Sequence, residues 1–380
     1  MKEFRKTILL GIVMGVIIYS VGYIWNSGLL KPFPKEDFLT AEEAECRPVY
    51  RELSKKEKAV YAALYRGVSE HKRSIEMPCD IKGAAYEKVY EYFQKQESAF
   101  FYLSADFLTA DRIRAAKMTY ICDKEEIDEK VNELEKVRDM ALSELEDYMS
   151  DYEKACCIHD FIAKNCTYTV EGGDDEDSAY GCLVGKKARC EGYAKAFDYL
   201  LKAAGINDVV ITGETDDGAP HAWNKFENGG TWYNVDVTWD DNDSECEERH
   251  IFFMSSKGGF NGSHYPEKRY KSKKFVFNKY EYDDAKRNYY YLRKGFYVDS
   301  YDKIDEILMN GVDLYNQKGF IEMQFEKQSV ISEFKTEYFV NGRIWELIRT
   351  NNPYFLSSID YESFEYIEND DENCVVIYLD

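Results

Sequence analysis

Positive charge is scarce in this sequence. Its 380 residues include 49 lysines and arginines against 71 aspartates and glutamates, which gives a net charge of −22. Because nucleic-acid phosphates bind clustered lysine and arginine, this balance argues against a nucleic-acid partner, and it equally disfavours contact between the main body and an anionic lipid surface. With 44% hydrophobic and 16% aromatic residues, the chain can bury two or three cores and is not expected to be disordered.

Standard metal-binding motifs are also absent. Four potential ligands lie close together, at Cys156, Cys157, His159 and Cys166. Their spacing matches no standard zinc site, so packing or a disulfide is the preferred interpretation. The acidic stretches 174–177 and 240–245 lack the glycine and the terminal glutamate of an EF-hand loop, and we interpret them as solvated loops. The sequence therefore predicts neither a metal ion nor another cofactor.

The N-terminus carries a long uncharged run. Basic residues at the start of the chain precede residues 7–30, which contain no charged side chain. As a helix this run would span about 36 Å, enough to cross a hydrocarbon core of about 30 Å. Because basic residues before such a run favour a cytoplasmic N-terminus, we predict a single-pass membrane anchor over residues 1–30 and an extracytoplasmic remainder. A cleaved signal peptide is the alternative, since small residues near Gly22 have a cleavable spacing.

The rest of the chain is interpreted as three regions. Residues 31–150 form a stalk and an N-terminal α/β region, residues 151–256 a central domain, and residues 257–380 a C-terminal α+β region. In the first of these, Ser54 followed by Glu57 is a capping box, which predicts a helix after Ser54.

A weak internal repeat links the two flanking regions. Leu-Tyr-Arg-Gly-Val at 64–68 precedes Ile-Glu-Met at 75–77, and Leu-Met-Asn-Gly-Val at 308–312 precedes Ile-Glu-Met at 321–323. Each copy is followed by a helical pattern. The two flanks therefore either share a small α/β design or match by coincidence.

The residue types needed for thiol catalysis occur in order in the central region. Cys190 opens a predicted helix, whose unpaired N–H groups and positive dipole end would stabilise a thiolate. His221 and Asp236 lie on either side of Asn228-Gly229, the strongest two-residue signal for a hairpin turn. If these two residues form the loop, His221 and Asp236 face each other directly across the two strands.

Such an arrangement has a defined chemistry. An imidazole beside the thiol accepts its proton, and a carboxylate fixes the tautomer of the ring. The backbone N–H of Cys190 could serve one side of an oxyanion hole, with Tyr180 or Trp239 as the second donor. Asp240 is a rival orienter further along the strand, and Arg189 either aids the thiolate or faces water. Taken singly, the three residues also have structural interpretations: a buried cysteine, a sheet histidine and a strand-end cap.

Several ordered motifs surround these residues. They are Ile158-His-Asp-Phe-Ile162, Ser178-Ala-Tyr-Gly181, Cys190-Glu-Gly-Tyr-Ala194, His221-Ala-Trp-Asn224 and Trp232-Tyr-Asn-Val-Asp236-Val-Thr-Trp-Asp240. Together they resemble the bacterial transglutaminase-like family over about residues 151–256. The resemblance implies an α+β, papain-like core in which the helix bearing the cysteine packs on an antiparallel sheet. It also implies that Cys190, His221 and Asp236 act as nucleophile, base and orienter.

The predicted function follows from the anchor and this triad. We expect a membrane-anchored, extracytoplasmic thiol acyl-transfer enzyme that attacks a peptide or side-chain amide carbonyl through a thioester. Its partner would be a protein or peptide substrate, free or associated with a cell wall. Hydrolysis is preferred over protein cross-linking, because an amine acceptor needs a second dedicated pocket. The competing class is a non-catalytic surface-binding module with a vestigial triad.

Overall fold

The computed structural model describes residues 12–21, 32–104, 111–171, 173, 175–242, 247–284, 288–355, 363–370 and 372–379. Its α-helices of five or more residues, besides a helical stretch at 12–21, are Ala41–Glu45, Pro48–Glu52, Lys55–Ser69, Gly83–Gln96, Lys124–Leu142, Asp151–Asn165, Ala179–Leu183, Cys190–Ala203, Tyr289–Lys294, Ile304–Lys318, Gln328–Phe334 and Arg343–Asn351. Shorter α-helices lie at Val237–Asp240, Lys257–Phe260 and Val276–Lys279. A π-helix lies at Lys335–Val340.

Two sheets organise the described residues. The central sheet is antiparallel, and its five strands run in the order Phe253–Ser255, Thr231–Val235, Pro220–Asn228, Asp208–Thr215 and His264–Pro266. The terminal sheet has four strands in the order Tyr297–Val298, Ile321–Phe325, Cys374–Leu379 and Phe364–Asn369. An N-terminal pair joins Ser74–Lys82 to Arg112–Lys117. The shortest pairs are Thr167–Tyr168 with Lys187–Ala188, and Asp241–Asn242 with Glu247–Glu248.

The expected α+β core is present. The helix Cys190–Ala203, called the central helix below, buries Tyr193, Phe197 and Leu200 completely. Phe197 meets Phe226 of the central sheet edge to face, with ring centroids 6.1 Å apart. The helix–sheet layer expected around the cysteine is therefore confirmed. The sheet continues past residue 256 to the strand His264–Pro266, while the three region boundaries stay predictions.

The hairpin turn lies one position later than the sequence predicted. Asn228 pairs with Thr231, so Gly229 and Gly230 form the loop, with φ values of 61° and 84°. A two-residue turn of this kind needs positive φ at both positions, and two glycines adopt it without a Cβ clash. Direct opposition of His221 and Asp236 was therefore wrong. The strand ends at Val235, and Asp236 lies just beyond it.

The internal repeat corresponds to a shared packing motif. Gly67 lies inside the helix Lys55–Ser69, and a Cβ at Gly67 would come within 2.4 Å of Ile75 Cδ1. A Cβ at Gly311 would likewise come within 2.4 Å of Ile321 Cγ2. In both copies the isoleucine of the strand that follows packs against a glycine of the helix, so the structure favours a common design.

The predicted N-terminal anchor can be compared with the structure only in part. Most of the anchor predicted over residues 1–30 lies outside the described residues, and none of the helices described here is both long enough and apolar enough to span a bilayer. Three consecutive tyrosines, residues 289–291, begin the helix Tyr289–Lys294. Tyr290 and Tyr291 are buried in it, and their hydroxyls donate to Glu322 of the terminal sheet.

Candidate active site

His221 and Asp236 meet in the interior of the protein. His221 Nε2 donates to Asp236 Oδ2 across 2.6 Å, and both side chains are buried. The other carboxylate oxygen of Asp236 accepts from the backbone N–H groups of Thr238 and Trp239, at 3.0 and 3.2 Å. Asp236 is thus the N-cap of the helix Val237–Asp240, and the cap fixes the carboxylate that holds the imidazole.

This pair favours its ionised form. Burial lowers the pKa of the His221 imidazole, but the charge and hydrogen bond of Asp236, together with a hydrogen bond that the protonated ring donates to the Cys190 sulfur, raise it to about 10. Burial raises the pKa of Asp236, yet the charge and hydrogen bond of His221 outweigh it and hold that pKa well below its usual range. An imidazolium beside a carboxylate is therefore the stable state at neutral pH.

Cys190 is the first residue of the central helix and is half-buried. It packs against Ala194, Val210 and Ala222. Because Asp236 occupies Nε2 of His221, Nδ1 is the ring nitrogen left to face the Cys190 thiol. The structure therefore brings all three residues predicted from the sequence to one place.

The two charged neighbours of Cys190 each form an ion pair with a residue elsewhere in the chain. Arg189 Nε donates to Asp177 Oδ1 across 2.7 Å, so the guanidinium is engaged away from the thiol. Glu191 is likewise paired with Lys95, with 2.6 Å between Oε2 and Nζ. The free end of the helix adds positive potential at Cys190. Arg189 also interacts electrostatically with the Cys190 sulfur, although its hydrogen bonds go to Asp177.

A second histidine, His264, was missed by the sequence analysis. Its Nε2 lies 3.0 Å from Asp236 Oδ2, and its Nδ1 lies 2.8 Å from Ser263 Oγ. Burial lowers the pKa of His264 despite the neighbouring Asp236 charge, so this ring is a neutral donor. It stacks on Phe260 with centroids 3.9 Å apart. The sequence gives little indication of this role: His264 is one of five histidines in the chain, and its strand has only three residues and ends in proline.

The other candidates from the sequence take different roles. Tyr180 donates its hydroxyl to Glu133 across 2.6 Å and is thereby engaged elsewhere. Trp239 stacks on the His221 ring, with centroids 5.2 Å apart, and stays the candidate second oxyanion donor. The rival orienter, Asp240, is completely buried, with Oδ2 3.1 Å from His159 Nε2. Asp240 therefore neither orients His221 nor lies in a solvated loop.

The structure contains a second thiol–imidazole contact. Cys156 Sγ lies 3.8 Å from His250 Nε2, a proximity consistent with a thiol enzyme. Cys156 sits inside the helix Asp151–Asn165, where the backbone N–H groups are used within the helix and none points at the thiol. The nine cysteines in the described part of the chain are all free, so the disulfide considered for this segment is not formed there.

A cavity of about 370 Å³ adjoins the site. Trp223 and His264 line one end, and Lys225, Lys257 and Glu281 are among its polar lining groups. Lys225 Nζ pairs with Glu281 Oε1 at 2.6 Å, which neutralises both buried charges. The cavity is large enough for a side chain of a substrate.

Comparison with known proteins agrees with this geometry. Residues 139–237 match the family model of the Transglutaminase-like superfamily. The kyphoscoliosis peptidase of Mus musculus is 30% identical over 110 residues, covering 25% of this chain and 17% of that protein. The kyphoscoliosis peptidase of Homo sapiens is 26% identical over 110 residues, which again cover 25% of this chain and 17% of that protein. The chain thus spans about a sixth of the length of these curated relatives.

A solved structure described as a TGase is 15% identical, covers 36% of this chain and 43% of that one, and gives a TM-score of 0.27. An overlap this small carries no argument for fold or function. The comparisons support the superfamily without the bacterial qualifier that the motifs suggested.

Proposed function

We propose that the chain is a thiol acyl-transfer enzyme with Cys190 as its nucleophile. The match of residues 139–237 to the family model of the Transglutaminase-like superfamily supports this proposal. The observation that carries this proposal is the 2.6 Å bond between His221 and Asp236, with the Cys190 thiol as the other partner of the ring. The substrate is a peptide or side-chain amide of a protein.

The reaction proceeds in two halves. In the resting pair His221 already holds the proton of the Cys190 thiol, and the thiolate attacks the carbonyl carbon to form a tetrahedral oxyanion. His221 then returns the proton to the leaving nitrogen, the C–N bond breaks and a thioester remains. In the second half His221 activates water, which releases the acid and restores the thiol. An amine in place of water would give a new amide and a cross-link.

The oxyanion needs donors aimed at the developing charge. The Cys190 N–H is at the first position of the central helix, where it has no partner within the helix. The Trp239 indole, stacked on His221, supplies the second donor in this proposal. Hydrolysis is the preferred outcome because water needs no dedicated acceptor pocket.

The second part of the proposal, an extracytoplasmic location of the catalytic domain, is based on the uncharged N-terminal run. A single-pass anchor over residues 1–30 would place the catalytic domain outside the cytoplasmic membrane, facing protein or cell-wall-associated substrates. Protease added to intact cells should then degrade the domain. Its protection in intact cells but not in lysed ones would remove the extracytoplasmic assignment and leave the chemistry unaffected.

Cysteine alkylation tests the nucleophile directly. With limiting iodoacetamide at neutral pH, mass spectrometry should find Cys190 modified first, and His221→Ala should abolish this preference. His71→Ala, which changes a histidine of the N-terminal region, is the matched control and should retain it. Faster modification of Cys156 would assign the nucleophile to the other pair, and fast Cys190 labelling in His221→Ala would refute the thiol–imidazole coupling.

The reaction outcome needs a separate assay. Peptides containing glutamine are incubated with the enzyme, with and without a primary amine, and Cys190→Ala is the blank. Cleavage or deamidation without amine supports hydrolysis, and amine incorporation supports transfer. If selective Cys190 labelling is found but a broad peptide library gives no product above the blank, the non-catalytic binding module is the better account.

A further inference from the structure

A compact group of metal-ligand side chains lies away from Cys190. Cys156 and Asp160 are four residues apart, on one face of the helix Asp151–Asn165. His250 approaches them from the segment before the strand Phe253–Ser255. His250 Nε2 lies 3.8 Å from Cys156 Sγ and 2.8 Å from Asp160 Oδ1, and Cys156 Sγ lies 3.9 Å from Asp160 Oδ2. One potential ligand atom from each of the three side chains thus lies within 4.8 Å of the other two.

The outer partners of these groups are arranged as they are around protein-bound metals. His250 Nδ1 lies 3.0 Å from Glu322 Oε1, which fixes Nε2 as the nitrogen aimed at the cluster. Glu322 also accepts from the Tyr290 hydroxyl at 2.8 Å. On the opposite side His159 Nδ1 holds Asp160 Oδ1 at 3.0 Å. A histidine backed by a carboxylate, and a carboxylate that is itself held, are typical outer partners in zinc sites.

We propose that Cys156, Asp160 and His250 bind one divalent transition-metal ion, with Zn²⁺ preferred and water in the fourth position. A thiolate and an imidazole favour Zn²⁺ over Mg²⁺ and Ca²⁺, which take oxygen ligands. Tetrahedral bonds of about 2.0 to 2.3 Å imply ligand separations of about 3.3 to 3.6 Å. The two distances to sulfur are 3.8 and 3.9 Å, and the nitrogen–oxygen distance is 2.8 Å. The sulfur faces Oδ2 of Asp160 and the imidazole faces Oδ1, so a rotation of the carboxylate would bring one oxygen to an ion shared with the other two ligands.

The ligand side chains of the cluster differ in their exposure to solvent, which leaves a route by which an ion can enter. The His250 side chain is 1% exposed, whereas the Asp160 side chain is 34% exposed. The carboxylate therefore opens to solvent on the side where the ion enters and where a bound water would lie. Binding requires the thiolate and the neutral imidazole, so the Cys156 thiol proton and the His250 Nε2 proton pass to solvent.

The position of the site suggests a structural consequence. Glu322 belongs to the terminal sheet, and Cys156 and Asp160 belong to the helix Asp151–Asn165. His159 on that helix also holds Asp240, the last residue of the short helix capped by Asp236. A bound ion would tie the terminal sheet to the layer behind the triad without touching Cys190.

Metal content of the full chain tests the proposal. The protein is stripped with a chelator, given one equivalent of Zn²⁺ and passed through a desalting column before elemental analysis. About one zinc per chain is expected in the wild type and in Cys190→Ala. Glu322→Gln should weaken binding about 10- to 100-fold, and Cys156→Ser by more than that. Cys157→Ser, the adjacent cysteine outside the cluster, is the matched control and should bind as the wild type does.

Cobalt identifies the ligand atoms. Co²⁺ bound at the site should give a thiolate charge-transfer band in the near ultraviolet that is lost in Cys156→Ser and kept in Cys157→Ser and Cys190→Ala. A wild-type chain that retains no zinc would overturn the proposal. So would zinc and a cobalt band that survive Cys156→Ser, because the ion would then lie elsewhere, for example at His221, Asp236 and His264. Cys156→Ser is nearly isosteric, and unchanged far-ultraviolet circular dichroism would show that it folds.

Discussion

Replacing Asp236 by asparagine changes one charge at the centre of the candidate site. The amide oxygen can still accept from Thr238 and Trp239, so the helix cap survives. Its NH₂ group then faces His221 Nε2, which must become an acceptor. The proton of the neutral ring moves to Nδ1, the nitrogen that faces Cys190, and the ring can no longer take the thiol proton. The asparagine thus enforces the wrong tautomer.

The magnitude follows from the pKa of His221. Burial lowers that pKa, yet Asp236 is the main reason why it stands at about 10 instead of the ordinary 6.5. The difference corresponds to at most about 5 kcal/mol of preference for the imidazolium. In Asp236→Asn we expect His221 to titrate at or below 6.5, because burial is then uncompensated. The rate constant kcat should fall about 10⁴-fold, as for other triads with this change.

The same shift predicts the pH dependence of stability. A group whose pKa is raised in the folded state stabilises the protein fully below its unfolded pKa, and this contribution disappears as the pH rises through the folded pKa. The contribution of His221 is therefore complete below about 6.5 and is lost as the pH approaches about 10. Urea denaturation should show the wild type losing more stability across this window than Asp236→Asn.

The titration of His221 and the urea denaturation are best measured in a Cys190→Ala background, which removes the titration of the thiol, whereas kcat is measured with Cys190 present. NMR of ¹³C-labelled histidine gives the pKa of His221, and Cys190→Ala alone is the reference. If adding Asp236→Asn to that background leaves the titration of His221 at the same pH, the carboxylate is not the source of the raised pKa, and the reasoning fails.

Substitutions of His264 and of two helical glycines test parts that the sequence left open. His264→Gln removes a donor to Asp236, and we expect about a tenfold lower kcat with unchanged KM, measured on a peptide substrate; an equal loss in KM would indicate a binding role instead. Gly67→Ala and Gly311→Ala each force a Cβ to within 2.4 Å of an isoleucine, and urea denaturation should show about 1 to 3 kcal/mol lower stability, partly restored in Gly67→Ala by Ile75→Val. No loss in either alanine variant would refute the shared packing motif.

The triad was accessible from the sequence because each member has a strong local signal. Cys190 starts a helix, and His221 and Asp236 flank a hairpin whose turn could be placed to within one residue. Because the turn lies one residue later than predicted, the partner of each residue across the hairpin shifts by two positions. Side chains alternate between the two faces with a period of two, so the predicted and observed partners lie on the same face of the sheet. His221 and Asp236 therefore remained neighbours although they are not directly opposite.

The contacts that the sequence missed are all long-range. His264 reaches Asp236 from an edge strand of only three residues, too short to show a periodic pattern. His250 meets Cys156 across a separation of 94 positions. Spacing within the helix shows only that Cys156 and Asp160 share a face, and nothing local shows which residue covers that face. Only the tertiary packing brings the third ligand, His250, to that face of the helix.

The orientation of the base depends on a helix cap more than on the sheet. The carboxylate of Asp236 is fixed at one oxygen by two backbone N–H groups, which leaves the other oxygen in place for both histidines. Glutamate at this position would keep the charge but add a methylene between cap and carboxylate. Its oxygens could not reach the N–H groups of Thr238 and Trp239 and the Nε2 atom of His221 together. Asp236→Glu should therefore lose either the cap or the triad bond, and the choice of aspartate follows from the geometry of the cap.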